Sequence, residues 1–311
     1  MASWRALLRG DPLPWLLERR DAAVRASTLE LLEERSTRDS ELREAKARAM
    51  TSPPISTILK RQRADGRWSD EYYAPKYTGS HWEMLLLVEY RADGSDPRLR
   101  RGARQMLEAV QARRAAQGWM SDHGVSCFFG NALRYLCHAG FGGDERLEWI
   151  VDRLVRDSKV FESACYINGD QPCAWGYSRL LWGLAALPEQ ARTREVERTL
   201  RRGTEWLLSY KLERGAYPTA TNPSHLWRSA NFPLFYQADV LFVLRVLAEL
   251  DALSDPRAAG AIAWLLSRQD ERGRWHGRAP YLDRMPARID ADKWITLQAA
   301  HVLKCAFPED G

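Results

Sequence analysis

A phrase recurs along this chain and limits its folds more than any other feature. Near the C-terminus it runs Gly260, Trp264-Leu265, Gln269 and Gly273-x-Trp275. The same order returns as Arg202-Gly203, Trp206-Leu207, Lys211 and Gly215-x-Tyr217. A third copy runs from Arg101-Gly102 through Met106-Leu107 to Gln111, with a longer gap before Gly118-Trp119. A fourth reads Ile58-Leu59, Gln62 and Gly66-x-Trp68. Self-similarity at a period of about 40–50 residues marks a repeat architecture, in which each unit buries its apolar face against its neighbours.

Apolar stretches lie between the phrases. Residues 79–90, 125–139, 173–187, 235–250 and 292–306 read as inner helices. The set Leu241, Phe242, Leu244, Val246, Leu247 and Leu250 leaves little of the circumference polar, so burial on two sides is expected. Stretches 96–111, 144–157, 194–210 and 255–268 are apolar on one side and charged on the other. Two of them begin Asp-Pro, which suits an N-cap followed by the first helical position. Strand signals are nearly absent. Inner helices alternating with outer ones predict an all-α fold, an α/α toroid of about five to six helical hairpins. Its barrel spans residues 51–311. Residues 1–50 form an N-terminal helical segment, with helices at 13–19 and 22–34 and a charged connection after them, that packs on the barrel or closes it.

Several function classes are excluded by what is missing. No apolar run nears the roughly 18 residues that cross a bilayer, and residues 1–10 lack a signal-peptide core, so a cytoplasmic location is expected, with peripheral membrane contact left open. Five cysteines are an odd number and mostly clustered, which argues for reduced thiols or a metal over a disulfide framework. The net charge of +5 rests largely on arginine, and acidic Asp96 and Glu108 interleave the basic runs, as on a solvated helix face. No nucleic-acid-binding signature is present, so no nucleic-acid partner is expected. No phosphate-loop motif is present, so no nucleotide cofactor is expected.

In a toroid the N-termini of the inner helices surround one end of the central cavity, the default place for a ligand. Tyr77, His81, Trp82, Phe128, Trp175, Tyr177, Arg179 and Tyr236 fall near such ends and are the candidate cavity residues. Aromatic faces there would suit an apolar or cationic guest, although core packing is the commoner use of such side chains. His123, Cys127, Cys165 and Cys173 also cluster there, and three thiolates with an imidazole would suit tetrahedral zinc. The competing reading makes Cys127 and Cys173 small buried hydrophobes. Asp239 lies in an otherwise apolar stretch, where burial would raise its pKa and equip it as an acid; a hydrogen bond to a helix end is the alternative use.

The repeated phrase resembles the repeat motif of the squalene–hopene cyclase and protein prenyltransferase β-subunit superfamily. The copy from Gly260 to Trp275 matches each element except Ala259, where a basic residue is usual. Phe232-Pro233-Leu234-Phe235-Tyr236 and Lys293-Trp294-x-Thr296-Leu297 are similar to segments of small bacterial squalene-cyclase-like proteins. The resemblance covers the chain from about residue 55 onward. It implies a terpenoid-cyclase-type barrel that binds, and cyclises or otherwise transforms, an apolar isoprenoid or prenylated molecule. Class II cyclases of this kind use a DxDD acid motif, and Asp290-Ala291-Asp292-Lys293 is similar to it, which makes Asp292 a second candidate acid. Lysine at the fourth position departs from the pattern and would keep nearby carboxylates ionised. Capping of the last inner helix is the plainer use of Asp292. No DDxxD cluster is present for magnesium-assisted ionisation of a diphosphate. Related prenyltransferases bind zinc through Asp, Cys and His with the Asp two before the Cys, whereas Asp170 here lies three before Cys173. A non-catalytic helical scaffold for a protein partner is the rival from another class.

Overall fold

A computed structural model describes residues 3–115, 125–160, 164–218 and 225–309. The first helices are α1 (Leu13–Leu16), α2 (Ala22–Leu31), α3 (Ser40–Thr51), α4 (Ile55–Lys60) and α5 (Ser80–Glu89). Then come α6 (Pro97–Ala115), α7 (Ser126–Leu136), α8 (Glu148–Val160) and α9 (Ala174–Ala185). The chain ends with α10 (Arg194–Leu208), α11 (Val240–Glu249), α12 (Ala259–Ser267) and α13 (Ala291–Ala306). Among the described residues only isolated β-bridges occur.

The helices form two concentric layers. Around the inner layer, α5 packs on α7, α7 on α9, α9 on α11, α11 on α13 and α13 on α2. Arg91, just beyond α5, bonds Glu30 of α2 at 2.7 Å and closes the circle. The fold is therefore an all-α toroid, with six inner helices among the described residues. Every residue of α5 is buried, as periodic apolarity on both sides requires. Outside, α6 covers α5 and α7, α8 covers α7 and α9, α10 covers α9, and α12 covers α11. The outer helices bury one stripe only; α10 hides Val196, Leu200, Gly203, Leu207 and Leu208 and leaves Arg194, Arg198, Arg201 and Glu205 outside.

The repeated phrase has a repeated geometry. Trp68, Tyr217 and Trp275 each donate a side-chain hydrogen bond to the carbonyl ten residues earlier, at Ile58 (2.8 Å), Leu207 (3.1 Å) and Leu265 (2.7 Å). These carbonyls lie in the last turn of an outer helix, beyond reach of an i+4 helical N–H; those of Ile58 and Leu265 also accept from the capping N–H groups of Arg61 and Arg268, both at 3.1 Å. The equivalence sets Ile58 opposite Leu265, so the first copy's counterpart of Trp264-Leu265 is Thr57-Ile58 and not Ile58-Leu59. One residue separates the two registers, and the bond geometry chooses. The glycine before each aromatic (Gly66, Gly215, Gly273) has φ of +91°, +61° and +72°, the left-handed region that glycine alone enters without strain. Gly273 is further constrained, because a Cβ there would lie 2.1 Å from the Gly10 carbonyl oxygen.

The glutamine of the phrase links one unit to the next. Gln62 Nε2 donates to the Gly66 carbonyl (2.9 Å) within its own turn and to the Arg98 carbonyl (2.8 Å) of the following unit. Gln111 Nε2 reaches the Arg146 carbonyl in the same way. Arg98 and Arg146 sit in Asp-x-Arg boxes that open outer helices. Asp96 accepts from the Arg98 backbone N–H at 2.8 Å and from its Nε at 3.0 Å, and Asp144 does the same to Arg146 at 3.0 and 2.8 Å. Asp255 repeats the box on Arg257. Gln269, the last of the series, turns to the N-terminal segment: its Nε2 donates to the Leu7 carbonyl at 3.2 Å and its Oε1 accepts from the Arg9 N–H at 3.1 Å. The Trp4 N–H donates to the Phe307 carbonyl at 3.0 Å, tying the same segment to the end of α13.

One inner helix is shorter than its sequence suggests. Residues 235–239, expected as the first turns of the fourth inner helix, are irregular, and α11 begins only at Val240. The Arg179 guanidinium holds the Leu234 (3.0 Å) and Gln237 (2.8 Å) carbonyls, and Asn131 Nδ2 holds the Phe235 carbonyl (2.7 Å). These side chains from α7 and α9 satisfy carbonyls that a helix would otherwise bond, so apolar content there reflects burial and not helicity.

Gln269 is buried and bonded across the seam, whereas Gln190 is exposed. Two net hydrogen bonds at about 1 kcal/mol each predict that Gln269→Leu costs about 2 kcal/mol, several degrees of melting temperature. Gln190→Leu should stay within about 0.5 kcal/mol. Equal melting temperatures for the two variants would refute the seam's contribution.

Candidate functional site

The first turns of the inner helices, and the irregular segments feeding them, bring a group of aromatic side chains together at one end of the toroid. Tyr77, whose φ of +74° turns the chain just before α5, stacks on Tyr281 with centroids 4.4 Å apart. It also packs on Phe235 (5.0 Å) and Trp82 (5.5 Å). Trp82 meets Tyr73 at 4.9 Å, Phe235 at 5.4 Å and Tyr236 at 6.2 Å; Tyr236 in turn meets Trp175 at 6.2 Å. His81 stacks on Phe128 at 4.5 Å. Thus α5, α7 and α9, with the segments before α11 and α13, all contribute to one aromatic surface. Trp82, Tyr77 and Phe128 form its buried floor, and Tyr73, Trp175, Tyr236 and Tyr281 are half-buried at its edge.

Lys76 stands at that edge. Its Nζ donates to the Tyr236 hydroxyl at 3.2 Å and lies 4.7 Å from the Tyr236 ring centre and 5.2 Å from that of Tyr77. An ammonium over two aromatic faces is a favourable arrangement. Burial pushes the Tyr73 hydroxyl up to about 12, so it is a neutral hydrogen-bonding group at ordinary pH.

Six of the eight expected cavity residues, Tyr77, His81, Trp82, Phe128, Trp175 and Tyr236, meet in this group. The other two go elsewhere. Tyr177 turns toward the outer layer, its hydroxyl 2.8 Å from Ser158 Oγ and its ring 4.8 Å from Trp206. Arg179 is fully buried as a structural post. Besides the carbonyls already named, its Nη1 lies 3.6 Å from Glu89, which a 2.9 Å bond joins to Arg245, and its guanidinium rests 3.8 Å from the Phe242 ring centre. Taking away one member of such a buried pair costs about 3–5 kcal/mol in general.

Asp239 is completely buried and is the N-cap of α11. Oδ1 accepts from the Phe242 N–H at 2.7 Å, and Oδ2 accepts from the backbone and side-chain N–H groups of Asn231, both at 2.8 Å. Burial pushes its carboxyl up to about 7, while these donors pull the other way. Both oxygens are occupied by donors, and the helix-end bond that was the alternative use is present. Asp292 lies in the first turn of α13, but Asp290 is the cap, accepting from the Lys293 N–H at 3.3 Å. Asp292 binds His276 Nδ1 at 2.7 Å and the Gly277 N–H at 3.0 Å instead. Lys293 is buried and pairs with Glu18 and Asp21 of the N-terminal segment, so its charge is directed away from Asp292.

Cys127 and Cys173 flank the same end, at the starts of α7 and α9, and Cys165 is close enough to raise the pKa of both thiols. Burial pushes Cys127 up to about 12 and Cys173 up to about 11, which keeps both as thiols at neutral pH. Cys173 Sγ accepts the Gly176 N–H at 3.4 Å, an N-cap role. Among the described residues no group of three or more His, Cys, Asp or Glu side chains could hold a metal ion. His123 lies outside the described residues.

Sequence reasoning passes over several members of the site. Tyr73, Lys76, Gln237 and Tyr281 lie in irregular segments, where no periodicity marks a facing direction. Gln237 Nε2 donates to the Tyr281 hydroxyl and joins two of those segments. A further buried carboxyl, Glu83 of α5, bonds Arg61 through Oε1 at 2.7 Å, while Oε2 is buried without a hydrogen bond. Burial pushes Glu83 up to about 8.

No family model matches the chain, and no curated protein matches it. Among solved structures, an arginine-to-alanine variant of type II terpene cyclase MstE from Scytonema, in complex with geranylgeranyl dihydroxybenzoate, is similar at 16% identity. That similarity covers 93% of this chain and 88% of the other, with a TM-score of 0.41. A tyrosine-to-phenylalanine variant of the same enzyme, in its apo form, gives 14% identity over 85% and 96%, with a TM-score of 0.33. Likenesses this distant leave the toroid resting on its own helix contacts and the site on its own residues.

The buried histidine of the site generates a pH dependence. His81 bonds the Tyr135 hydroxyl at 3.1 Å, and burial pushes its pKa down to about 3. An unfolded histidine titrates near 6.5. Between pH 6.5 and 3 the unfolded chain therefore binds a proton that the folded chain does not, and stability falls as pH falls. The slope from this group is about 1.4 kcal/mol per pH unit. His81→Gln should flatten the fall in denaturant midpoint between pH 6 and 4 by that share; an unchanged slope would contradict a neutral buried imidazole.

Proposed function

We propose that this chain binds an apolar, isoprenoid-like molecule at the aromatic-walled end of its toroid. The observation that carries the proposal is the convergence of Tyr73, Tyr77, Trp82, Phe128, Trp175, Tyr236 and Tyr281 from five separate parts of the chain onto one surface with a half-buried edge. A core needs no such edge. Aromatic rings offer broad faces to an unsaturated hydrocarbon, and each buried methylene contributes about 0.8 kcal/mol, so affinity grows with chain length.

The rim supports the same reading. Tyr166 and Ile167 are exposed by 43% and 75%, and Tyr166 lies close enough to Tyr73 to affect its titration. Large exposed apolar side chains beside an aromatic surface suit entry of an apolar guest. Lys76 and the Tyr236 hydroxyl supply a polar end at the edge, where the head of an amphipathic isoprenoid would be held.

Transformation of the guest is a separate step. It would require a carboxyl that gives up a proton to the bound chain, and Asp239 is the sequence candidate at this end. A scaffold for a protein partner needs no small-molecule site at all.

Titration with farnesol and geranylgeraniol, followed by tryptophan fluorescence, is expected to give saturable quenching that is tighter for the longer alcohol. Trp175→Ala and Tyr236→Ala, both at the half-buried edge, should each weaken binding about tenfold, equivalent to about 1.4 kcal/mol. Quenching that never saturates, or affinities unmoved by both substitutions, would overturn the proposal. Product analysis on the same samples separates binding from catalysis: conversion that disappears in Asp239→Asn while folding and quenching persist would assign the acid.

A further inference from the structure

A second place of interest lies at the last repeat, where three arginines border one cavity without a carboxylate partner among the described residues. Arg228, Arg268 and Arg278 border a cavity of about 270 Å³ together with Trp264, Trp275 and His276. All three arginines are exposed, and none forms an ion pair among the described residues. That sets them apart from guanidinium groups such as Arg98, Arg146 and Arg257, each held on its own box aspartate. Arg268 lies over the Trp264 ring, 5.4 Å from its centre, which limits the directions its guanidinium can take.

The cavity is rigidly built. Arg278 N–H donates to the Ala230 carbonyl at 3.0 Å, and Phe232 N–H donates to the Arg278 carbonyl at 2.9 Å, so the two segments carrying Arg228 and Arg278 are paired through their backbones. A Cβ on Gly277 would lie 2.2 Å from the Ala230 oxygen, which shows how closely they approach. Trp275 is fixed by its bond to the Leu265 carbonyl. His276 is held between Asp292 (2.7 Å) and Asp270 (2.9 Å), and these two hydrogen bonds, in that order, raise its pKa. The carboxylates are thereby engaged by the imidazole and by backbone N–H groups of Gly277, Arg272 and Arg274. They do not pair with the three arginines.

Three unpaired guanidinium groups bordering one cavity form a set of donors lacking an acceptor among the described residues. Guanidinium forks match the paired oxygens of phosphates, and several of them together favour a multiply charged anion. A volume of about 270 Å³ holds about nine waters at about 30 Å³ each, room for the nine heavy atoms of a diphosphate. We infer that this cavity binds a diphosphate group, either as the free anion or at the end of an organic ester. The inference stands independently of the aromatic surface and its apolar guest.

Calorimetric titration of the full chain at about 0.15 M salt tests it, with inorganic pyrophosphate, geranyl diphosphate and, as the uncharged control, geraniol. Pyrophosphate is expected to bind saturably with a dissociation constant below about 1 mM. Arg268→Gln and Arg278→Gln should each weaken it about tenfold. Arg104→Gln, an exposed arginine of α6, should leave it unchanged, which separates a site from a general charge effect. Equal affinity for pyrophosphate and geranyl diphosphate identifies the anion as the whole ligand; markedly tighter binding of the ester identifies an organic diphosphate. No saturable binding of either diphosphate, or equal losses in Arg104→Gln and the cavity variants, overturns the inference. The arginine side chains are exposed, so these substitutions leave the fold intact, and melting temperatures check that they do.

Discussion

The structure depends on one recurring interaction, a glutamine side chain that reaches out of one helical unit and bonds a backbone carbonyl in the next. Gln62 and Gln111 do this to Arg98 and Arg146, and Gln269 does it to Leu7 across the seam of the ring. The carbonyls of Arg98 and Arg146 belong to outer-helix openings that Asp-x-Arg boxes have already made rigid. The aromatic of the same phrase ties down the end of its own outer helix from inside. One copy carries Lys211 in the glutamine's place, so among the described residues this bond joins three of the junctions. The left-handed glycine between glutamine and aromatic exists to let both reach their carbonyls from one turn.

The interior is arranged around polar posts as much as around apolar packing. Arg179, Asn131, Glu89 and Arg245 draw α5, α7, α9 and α11 together near the axis, and Arg179 and Asn131 also hold the irregular segment that precedes α11. That segment carries Phe235, Tyr236 and Gln237. The aromatic end of the toroid is therefore positioned by buried polar groups set behind it. Asp239 completes the arrangement by capping α11 at the point where the irregular segment ends. Arg179 and Asn131 act here as architecture, and the surface available to a ligand is built from the aromatics they support.

Legibility follows chain distance. The inner and outer helices are readable because apolar periodicity and an Asp-Pro start are properties of neighbouring residues. Six of the eight candidates meet in one aromatic group because they fall near helix starts, which a toroid gathers at one end. Tyr177 lies outside that group, with Ser158 and Trp206 as neighbours, since a helix start has an outward face as well as an inward one and spacing alone does not choose between them. The pair Ile58-Leu59 falls one residue out of register for a related reason. Apolarity favours it over Thr57-Ile58, whereas the four-residue spacing to Gln62 and the Trp68 hydrogen bond to the Ile58 carbonyl both fix the phase. Tyr73, Lys76 and Tyr281 carry no signal, because irregular backbone has no period.

The amino-acid sequence by itself determined the class and the order of the fold: helices throughout, alternating layers, and a phrase in four copies, three of them with the glutamine, whose glycine, glutamine and aromatic have local geometric reasons to be there. Only the tertiary structure decided which charges would be neighbours. Lys293 meets Glu18 and Asp21 from the far end of the chain, His276 settles between two aspartates, and Arg228, Arg268 and Arg278 come together from three segments without a carboxylate partner among the described residues. The physical reason is that backbone conformation is set over a few residues, whereas the electrostatic surroundings of a side chain are set by whatever the closed ring brings within a few ångströms of it.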